Sequence, residues 1–285
     1  MNPITMKLVV DDLILQALRE DITFEDVSTA SVCPTARPAT VELIAKADGI
    51  IAGLDVFART FELLDSQSSV LFDVADGDEV HAGDHVGQVR GDARVLLSGE
   101  RVALNYLQRM SGIATYTHQM AAVLEGTKTV LVDTRKTTPG MRVLDKMAVK
   151  IGGGENHRMG LFDMILLKDN HIDFAGGIRK AIHGAREYLR AKGKDIPIEC
   201  EVRSLEDIDE VFAAGGVDRI MFDNFTPAMT REAVKKVAGR CETESSGGIT
   251  LSTMRDYAEC GVDFISVGAL THQIKSLDMS LKACE

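Results

Sequence analysis

What most narrows the fold is a rhythm that begins near residue 128. Short, β-branched apolar runs recur, and each ends abruptly in polar residues or glycine. Val130-Leu131-Val132 runs into Asp133-Thr134-Arg135-Lys136, and Met164-Ile165-Leu166-Leu167 into Lys168-Asp169-Asn170-His171. Ile198-Glu199-Cys200-Glu201-Val202 follows, then Ile220-Met221-Phe222 into Asp223-Asn224, Glu244 into Ser245-Ser246-Gly247-Gly248, and Phe264-Ile265-Ser266-Val267 into Gly268-Ala269. Between these runs, residues 204–214, 227–237 and 250–260 carry helical periodicity. Strands alternating with helices build a parallel α/β sheet, because a parallel strand needs a long crossover to bring the chain back to its starting end. Six or seven units of roughly 20 to 35 residues predict a closed or nearly closed barrel. The rival is an open doubly wound sheet, and the missing GxGxxG turn after the first strand counts against it.

The first hundred residues are mixed. Asp12 is placed to cap a helix bearing Leu13, Ile14, Ala17 and Leu18 on one face. Val41-Glu42-Leu43-Ile44-Ala45 reads as a strand and residues 54–64 as an amphipathic helix. From Val70 to Leu97, the triplets Asp76-Gly77-Asp78, Ala82-Gly83-Asp84 and Arg90-Gly91-Asp92 cut short apolar runs, which predicts strands joined by tight turns. Helical periodicity resumes at Ser98, with Val102, Tyr106 and Met110 in an i, i+4, i+8 stripe.

Composition sets the outer limits. With 285 residues and 45% hydrophobic residues, the chain can bury one large core or two modest ones. No apolar run reaches the roughly 18 residues of a membrane helix, and Asp11 and Asp12 break the only apolar stretch near the amino terminus, against a signal peptide. Five scattered cysteines without a CxxC pair argue against a disulfide framework or structural zinc and fit a reducing cytoplasm. A net charge of −11 disfavours nucleic acid as a partner.

A parallel barrel does its chemistry where strands end and helices begin. Those junctions supply Arg135, Lys136, Lys168, Glu201, Asp223, Ser246, Gly247, Gly248 and Gly268. They divide into cations that clamp an anion, carboxylates that hold a divalent metal or sugar hydroxyls, and small turns whose backbone N–H groups cradle a phosphate. The segment from Thr134 to His171 holds seven Lys/Arg against four Asp/Glu, a local surplus of three positive charges in an acidic protein. Such a site concentrates a small anion without recruiting nucleic acid. Glu199 and Glu201 share one strand face, so spacing does not choose between them, and Cys200 faces the other way as a structural residue. His81 and His85 lie on a turn-rich segment with no third ligand nearby, and His118 and His183 read as helix-surface residues.

Several ordered motifs resemble quinolinate phosphoribosyltransferase: Gly99-Glu100-Arg101-Val102-Ala103-Leu104-Asn105, Asp133-Thr134-Arg135-Lys136-Thr137-Thr138-Pro139-Gly140, Gly152-Gly153-Gly154-Glu155-Asn156-His157-Arg158, Leu167-Lys168-Asp169-Asn170-His171-Ile172, Ser245-Ser246-Gly247-Gly248-Ile249 and Ser266-Val267-Gly268-Ala269-Leu270-Thr271-His272. The similarity runs from about Leu13 to Leu281. It implies an incomplete, roughly seven-stranded parallel α/β barrel plus an α+β, sandwich-like amino-terminal domain. The corresponding division is residues 1–112, a barrel over 113–272, and a terminal segment 273–285 packing back on the first domain. The resemblance further implies phosphoribosyl transfer to quinolinate with decarboxylation, in a cytoplasmic homodimer, or a higher oligomer, whose active sites are shared through Arg101. It places Arg101, Arg135, His157, Arg158 and Lys168 on the quinolinate carboxylates. Lys136, Glu201 and Asp223 fall on the ribose, pyrophosphate and Mg2+, with Glu201 and Asp223 as the metal ligands, and Thr134 is a further substrate-binding residue. Ser246, Gly247, Gly248 and Gly268 fall on the 5′-phosphate, Val267 and Ala269 are further substrate-binding residues, and Lys136, Lys168, Glu201 and Asp223 fall on catalysis. By this resemblance Glu201 rather than Glu199 is the site residue.

The sequence departs from that pattern at Cys200, at Arg203 and around Phe24-Glu25-Asp26, none of them a site position. The alternatives are a ModD-type paralogue acting on another aromatic acceptor, a silent phosphometabolite-binding protein, and a nicotinate phosphoribosyltransferase. The intact Asn156-His157-Arg158 and Lys168-Asp169-Asn170-His171 motifs, the pair Glu201 and Asp223, and the surplus of cations argue against them in turn.

Overall fold

The predicted rhythm is present as six parallel strands. The structure, a computed structural model, describes residues 2–284. Sheet order runs Val130–Val132, Phe264–Ser266, Glu242–Ser246, Arg219–Asp223, Ile198–Val202, Ile165–Leu167. The first of these six strands in chain order, Val130–Val132, pairs with the last, Phe264–Ser266, which a barrel requires and an open doubly wound sheet does not. No ladder joins Val130–Val132 to Ile165–Leu167. Glu155 makes a single parallel bridge to Val132 there, its N–H donating to Leu131 O at 2.8 Å while its carbonyl accepts from Asp133 N–H at 3.1 Å. The barrel is therefore incomplete, with a one-residue rung where a seventh strand would stand.

Helices return the chain between strands and are capped as their sequences allow. Ser204 caps Leu205–Ala214 in a reciprocal box with Asp207, and Thr226 caps Pro227–Val237, with proline in the first turn where its missing N–H costs nothing. This unit comprises Gln119–Thr137 and Gly154–His272.

The other unit comprises residues up to His118, Thr138–Gly153 and the chain from Gln273 onward. Its sheet is antiparallel, in the order Met279–Ala283, Pro38–Ala45, His85–Asp92, Ser69–Phe72. Phe57 and Phe61 on the helix Leu54–Leu64 meet edge-on, ring centres 5.3 Å apart, over a core that includes Leu43, Val86, Val89, Leu104 and Leu107. The stripe Val102, Tyr106 and Met110 is buried as its spacing predicts. Residues 138–153, which the strand–helix rhythm assigns to the second domain, group with this unit. Asp145, fully buried on the helix Arg142–Ile151, takes Arg109 in two hydrogen bonds of 2.9 Å.

Three local expectations are corrected. Asp12 caps nothing. Residues Met6–Val10 already run helically into Asp11–Ile22, so there is no free helix start to cap, and it is Asp11 that is buried, held by Arg59 at 2.9 and 2.8 Å. The long helix Ala93–Val123 begins before Ser98, because the Asp92 carboxylate accepts the Arg94 N–H at 3.0 Å and starts it inside what reads as a turn. The helix expected over 250–260 shrinks to Met254–Ala258, since Thr250 and Thr253 bond each other's backbone and hydroxyls in a turn of their own.

Candidate active site

Strand register decides which side chains meet inside the barrel. Glu199 pairs with Arg219, Glu201 and Glu244 with Met221, and Ser246 with Asp223. Neighbours in register on parallel strands point the same way, so Glu199, Glu201, Arg219, Met221, Asp223, Glu244 and Ser246 share the inward face. Barrel interiors are normally filled with branched apolar residues; this one is largely ionic.

At its centre lie Glu199 and Glu244, both 0% exposed. Arg219 rises from the start of its strand, its guanidinium 3.6 Å above the Phe264 ring and Nη1 3.0 Å from Glu244 Oε2. Above them sits His157, with Nε2 2.9 Å from Glu199 Oε2 and 3.4 Å from Glu244 Oε2. Burial raises the Glu199 carboxyl, and the like charge of Glu244 raises it further, to about 7. Burial alone would lower the imidazole, but the two glutamates lift it to about 9. The Arg158 N–H, only 2.7 Å from Nδ1, opposes a second ring proton because it needs a lone pair there. His157 N–H in turn donates to the buried Asp133 at 2.9 Å, which fixes the ring's height in the barrel.

At the strand ends a cavity of about 260 Å3 is lined by Thr134, Arg135, Lys136, His157, Arg158, Lys168 and Ser246, with Leu166, Met221, Glu244 and Ser266 below. Seven of the expected site residues thus converge. Glu201 joins them through Lys168, its Oε2 3.4 Å from Nζ. Asp223 stands beside Ser246 in register, and Gly247 and Gly248 continue from it. Val267 and Gly268 follow the last strand. Lys136 packs across Gly268, where a Cβ would lie 2.8 Å from the lysine Cδ, so only glycine lets the lysine lie there. Ala269 opens the next helical turn. Arg101 is exposed and lines a different cavity of about 360 Å3, formed within its own unit with Arg109, Glu20 and Asp21.

The cations are arranged against one another. Arg158 is buried, and burial together with neighbouring Arg135 lowers its proton affinity. Among the described residues Arg135 makes no ion pair, and its Nε is buried without a hydrogen-bond partner. Two guanidiniums held together with a donor unspent are costly unless an anion completes them.

Glu244, Ser266, Asp133 and His272 also belong to the site, although the strand-end reading of the sequence does not mark them as functional. The last lies against Gly268, its Nε2 3.0 Å from where a Cβ would be. The signal for the first two was present in strand alternation, since both are inward in the register that places Ser246 and Asp223. The expectation that Glu199 and Glu201 share a face, with Cys200 opposed and buried, matches the strand.

The barrel, with a strand-end cavity lined by Arg135, Lys136, Arg158 and Lys168, has the architecture of the parallel α/β-barrel enzymes and the charge to receive an anion. Residues 21–111 match the quinolinate phosphoribosyl transferase N-terminal domain and residues 113–282 its C-terminal domain, so the chain belongs to the quinolinate phosphoribosyltransferase family. It is 44% identical to the chloroplastic nicotinate-nucleotide pyrophosphorylase (carboxylating) of Arabidopsis thaliana, over 93% of this chain and 80% of that protein. It is 42% identical to the probable nicotinate-nucleotide pyrophosphorylase (carboxylating) of Bacillus subtilis, over 99% and 94%. The crystal structure of NadC from Streptococcus pyogenes superposes with a TM-score of 0.92 at 41% identity, covering 100% of this chain and 99% of that one.

Proposed function

We propose that this enzyme transfers the phosphoribosyl group of phosphoribosyl pyrophosphate to quinolinate and releases CO2, forming nicotinate mononucleotide for NAD synthesis. Family membership supports the reaction, and the observation that carries the site is Arg135. Its unspent buried Nε beside buried Arg158 is the complement of a planar dicarboxylate. Arg135, Arg158, Lys168 and His157 would take the two carboxylates and set the ring nitrogen toward the ribose. Ser246-Gly247-Gly248 and Val267-Gly268-Ala269 would hold the 5′-phosphate through backbone N–H groups, with Thr134 and Lys136 along the sugar and the pyrophosphate.

As pyrophosphate leaves, positive charge develops at C1 of the ribose, and Glu201 and Asp223 lie on the inward face where they would stabilise it. Attack by the ring nitrogen makes the pyridine an electron sink, into which the bond to the 2-carboxylate collapses as CO2. No covalent nucleophile is required, and the protein contributes position and electrostatics. Two carboxylates on adjacent strands are hard oxygen donors that suit Mg2+, and we assign Glu201 and Asp223 to it. Such an ion would supply charge neutralisation of the departing pyrophosphate.

We further propose a homodimer with shared sites. Arg101 belongs to the anion-binding set by family resemblance, yet it stands exposed in the first unit. Exposed Phe24, Val27 and Val32 of the same unit offer apolar surface for a second copy. The five free cysteines support a reducing compartment, and we propose the cytoplasm, although the Arabidopsis relative is named chloroplastic.

The test is an assay of the purified protein with quinolinate, phosphoribosyl pyrophosphate and Mg2+, following nicotinate mononucleotide and CO2. Product from quinolinate and none from nicotinate is the expected result. Product from another aromatic acceptor alone would overturn the substrate assignment.

A further inference from the structure

Asn224 follows Asp223 directly at the end of the Arg219–Asp223 strand and has a left-handed backbone, φ 56. Few residues other than glycine accept that region, and asparagine is among them. Its two hydrogen bonds and one close packing contact reach two different parts of the site. The main-chain N–H donates to Ser246 O at 2.9 Å, extending the ladder one step past the Ser246–Asp223 pair. The side-chain Nδ2 donates to Asp223 Oδ2 at 2.9 Å. The side-chain oxygen lies against the α-carbon of Gly247, where a Cβ would fall 2.2 Å from Oδ1 and 3.0 Å from the Asn224 nitrogen. Gly247 itself has φ 94. Glycine at 247 therefore has a second reason besides its own backbone: any side chain there would evict the Asn224 amide.

We propose that Asn224 is a positioning residue that locks the Asp223 carboxylate to the Ser246-Gly247-Gly248 loop, so that metal and phosphate ends of phosphoribosyl pyrophosphate are held in one register. The inference rests on the assignment of Asp223 and that loop made under the proposed function. A carboxylate at a half-buried strand end otherwise samples several rotamers, and one charge-assisted hydrogen bond from a residue whose backbone is fixed by the neighbouring strand removes that freedom. The left-handed backbone is the strained feature that makes the geometry possible, and such strain is characteristic of functional sites.

Two variants separate the amide from the backbone. Asn224→Gly keeps the left-handed conformation and deletes the side chain. Asn224→Asp keeps the size and the tolerance of left-handed φ but replaces the donor with a second carboxylate facing Asp223. Both are expected to raise KM for phosphoribosyl pyrophosphate by roughly 10-fold, the scale of a hydrogen bond to a charged group, and to leave KM for quinolinate within about twofold. Independently of turnover, Mn2+ titrated into each variant with pyrophosphate present, followed by electron paramagnetic resonance, should bind about 10-fold more weakly than to the wild type. Wild-type Mn2+ affinity and wild-type KM in Asn224→Asp would overturn the proposal, since a purely conformational role predicts that variant to be silent. Equal losses for both substrates would also overturn it, as a general disturbance of the barrel mouth. If the wild type itself neither binds Mn2+ with pyrophosphate nor turns over, the assignment of Asp223 fails instead, and that outcome is visible before any variant is made.

Discussion

Single residues at the barrel mouth explain why its charges are tolerated. Glu199 and Glu244 carry no solvent contact, and a lone buried carboxylate costs several kcal/mol. Arg219 from below and His157 from above make the cost bearable, and His157 is thereby pinned with one face to the cavity. Arg135 is the opposite case, a cation with no ion-pair partner among the described residues. Arg135→Ala should therefore leave the fold intact while losing about 2–5 kcal/mol of quinolinate binding, the range for deleting one side of a hydrogen-bonded charge pair. Isothermal titration of the variant with quinolinate checks it, and unchanged affinity would remove Arg135 from the carboxylate site.

Secondary-structure elements show how small signals place large ones. Asp11 and Asp12 are adjacent and chemically alike, yet only Asp11 reaches Arg59 on the helix Leu54–Leu64 and ties that helix to Asp11–Ile22. The hydrogen bonds from Arg59 hold the Asp11 carboxyl below its ordinary 3.8. A depressed carboxyl stabilises the fold above its unfolded value, so the contribution is complete above about pH 4 and fades as pH falls below it. Asp11→Asn should cost about 1–2 kcal/mol at pH 7, and Asp12→Asn a few tenths. Denaturant melts of the two variants at pH 7 and pH 3 measure this, and the difference between them should narrow at the lower pH. Helix starts were the least legible elements for the same reason: whether Asp12 or Asp92 begins a helix depends on what precedes it in space, and the residue type is identical in the two cases.

For the whole molecule, the proposed dimer makes the sharpest claim. If Arg101 serves the neighbouring subunit's barrel, Arg101→Ala and Lys168→Ala chains are each inactive alone, but a mixed dimer keeps one site with both residues intact. Mixing the two after confirmed subunit exchange should recover up to about a quarter of wild-type turnover, on statistical pairing and independent sites. No recovery would argue that each subunit completes its own site.

Much of this protein was determined by its sequence alone. Alternating short apolar runs and helical stretches dictate a parallel α/β sheet, because period and length depend on neighbours along the chain, and a strand's end is marked by the first polar or glycine residue after it. That locates Arg135, Lys136, Lys168, Glu201, Asp223 and Ser246 without coordinates. Alternation likewise puts Glu199 and Glu201 together and Cys200 apart. Tertiary structure alone decided that Val130–Val132 pairs with Phe264–Ser266, with Glu155 the one bridge across the opposite gap among the described residues. It decided that His157 descends onto Glu199 and Glu244, and that Asn224 lies against Gly247. These contacts join segments far apart in the chain, and their energies depend on burial and on the register between strands. Local sequence sets which face a residue occupies; only closure of the barrel determines what stands opposite it.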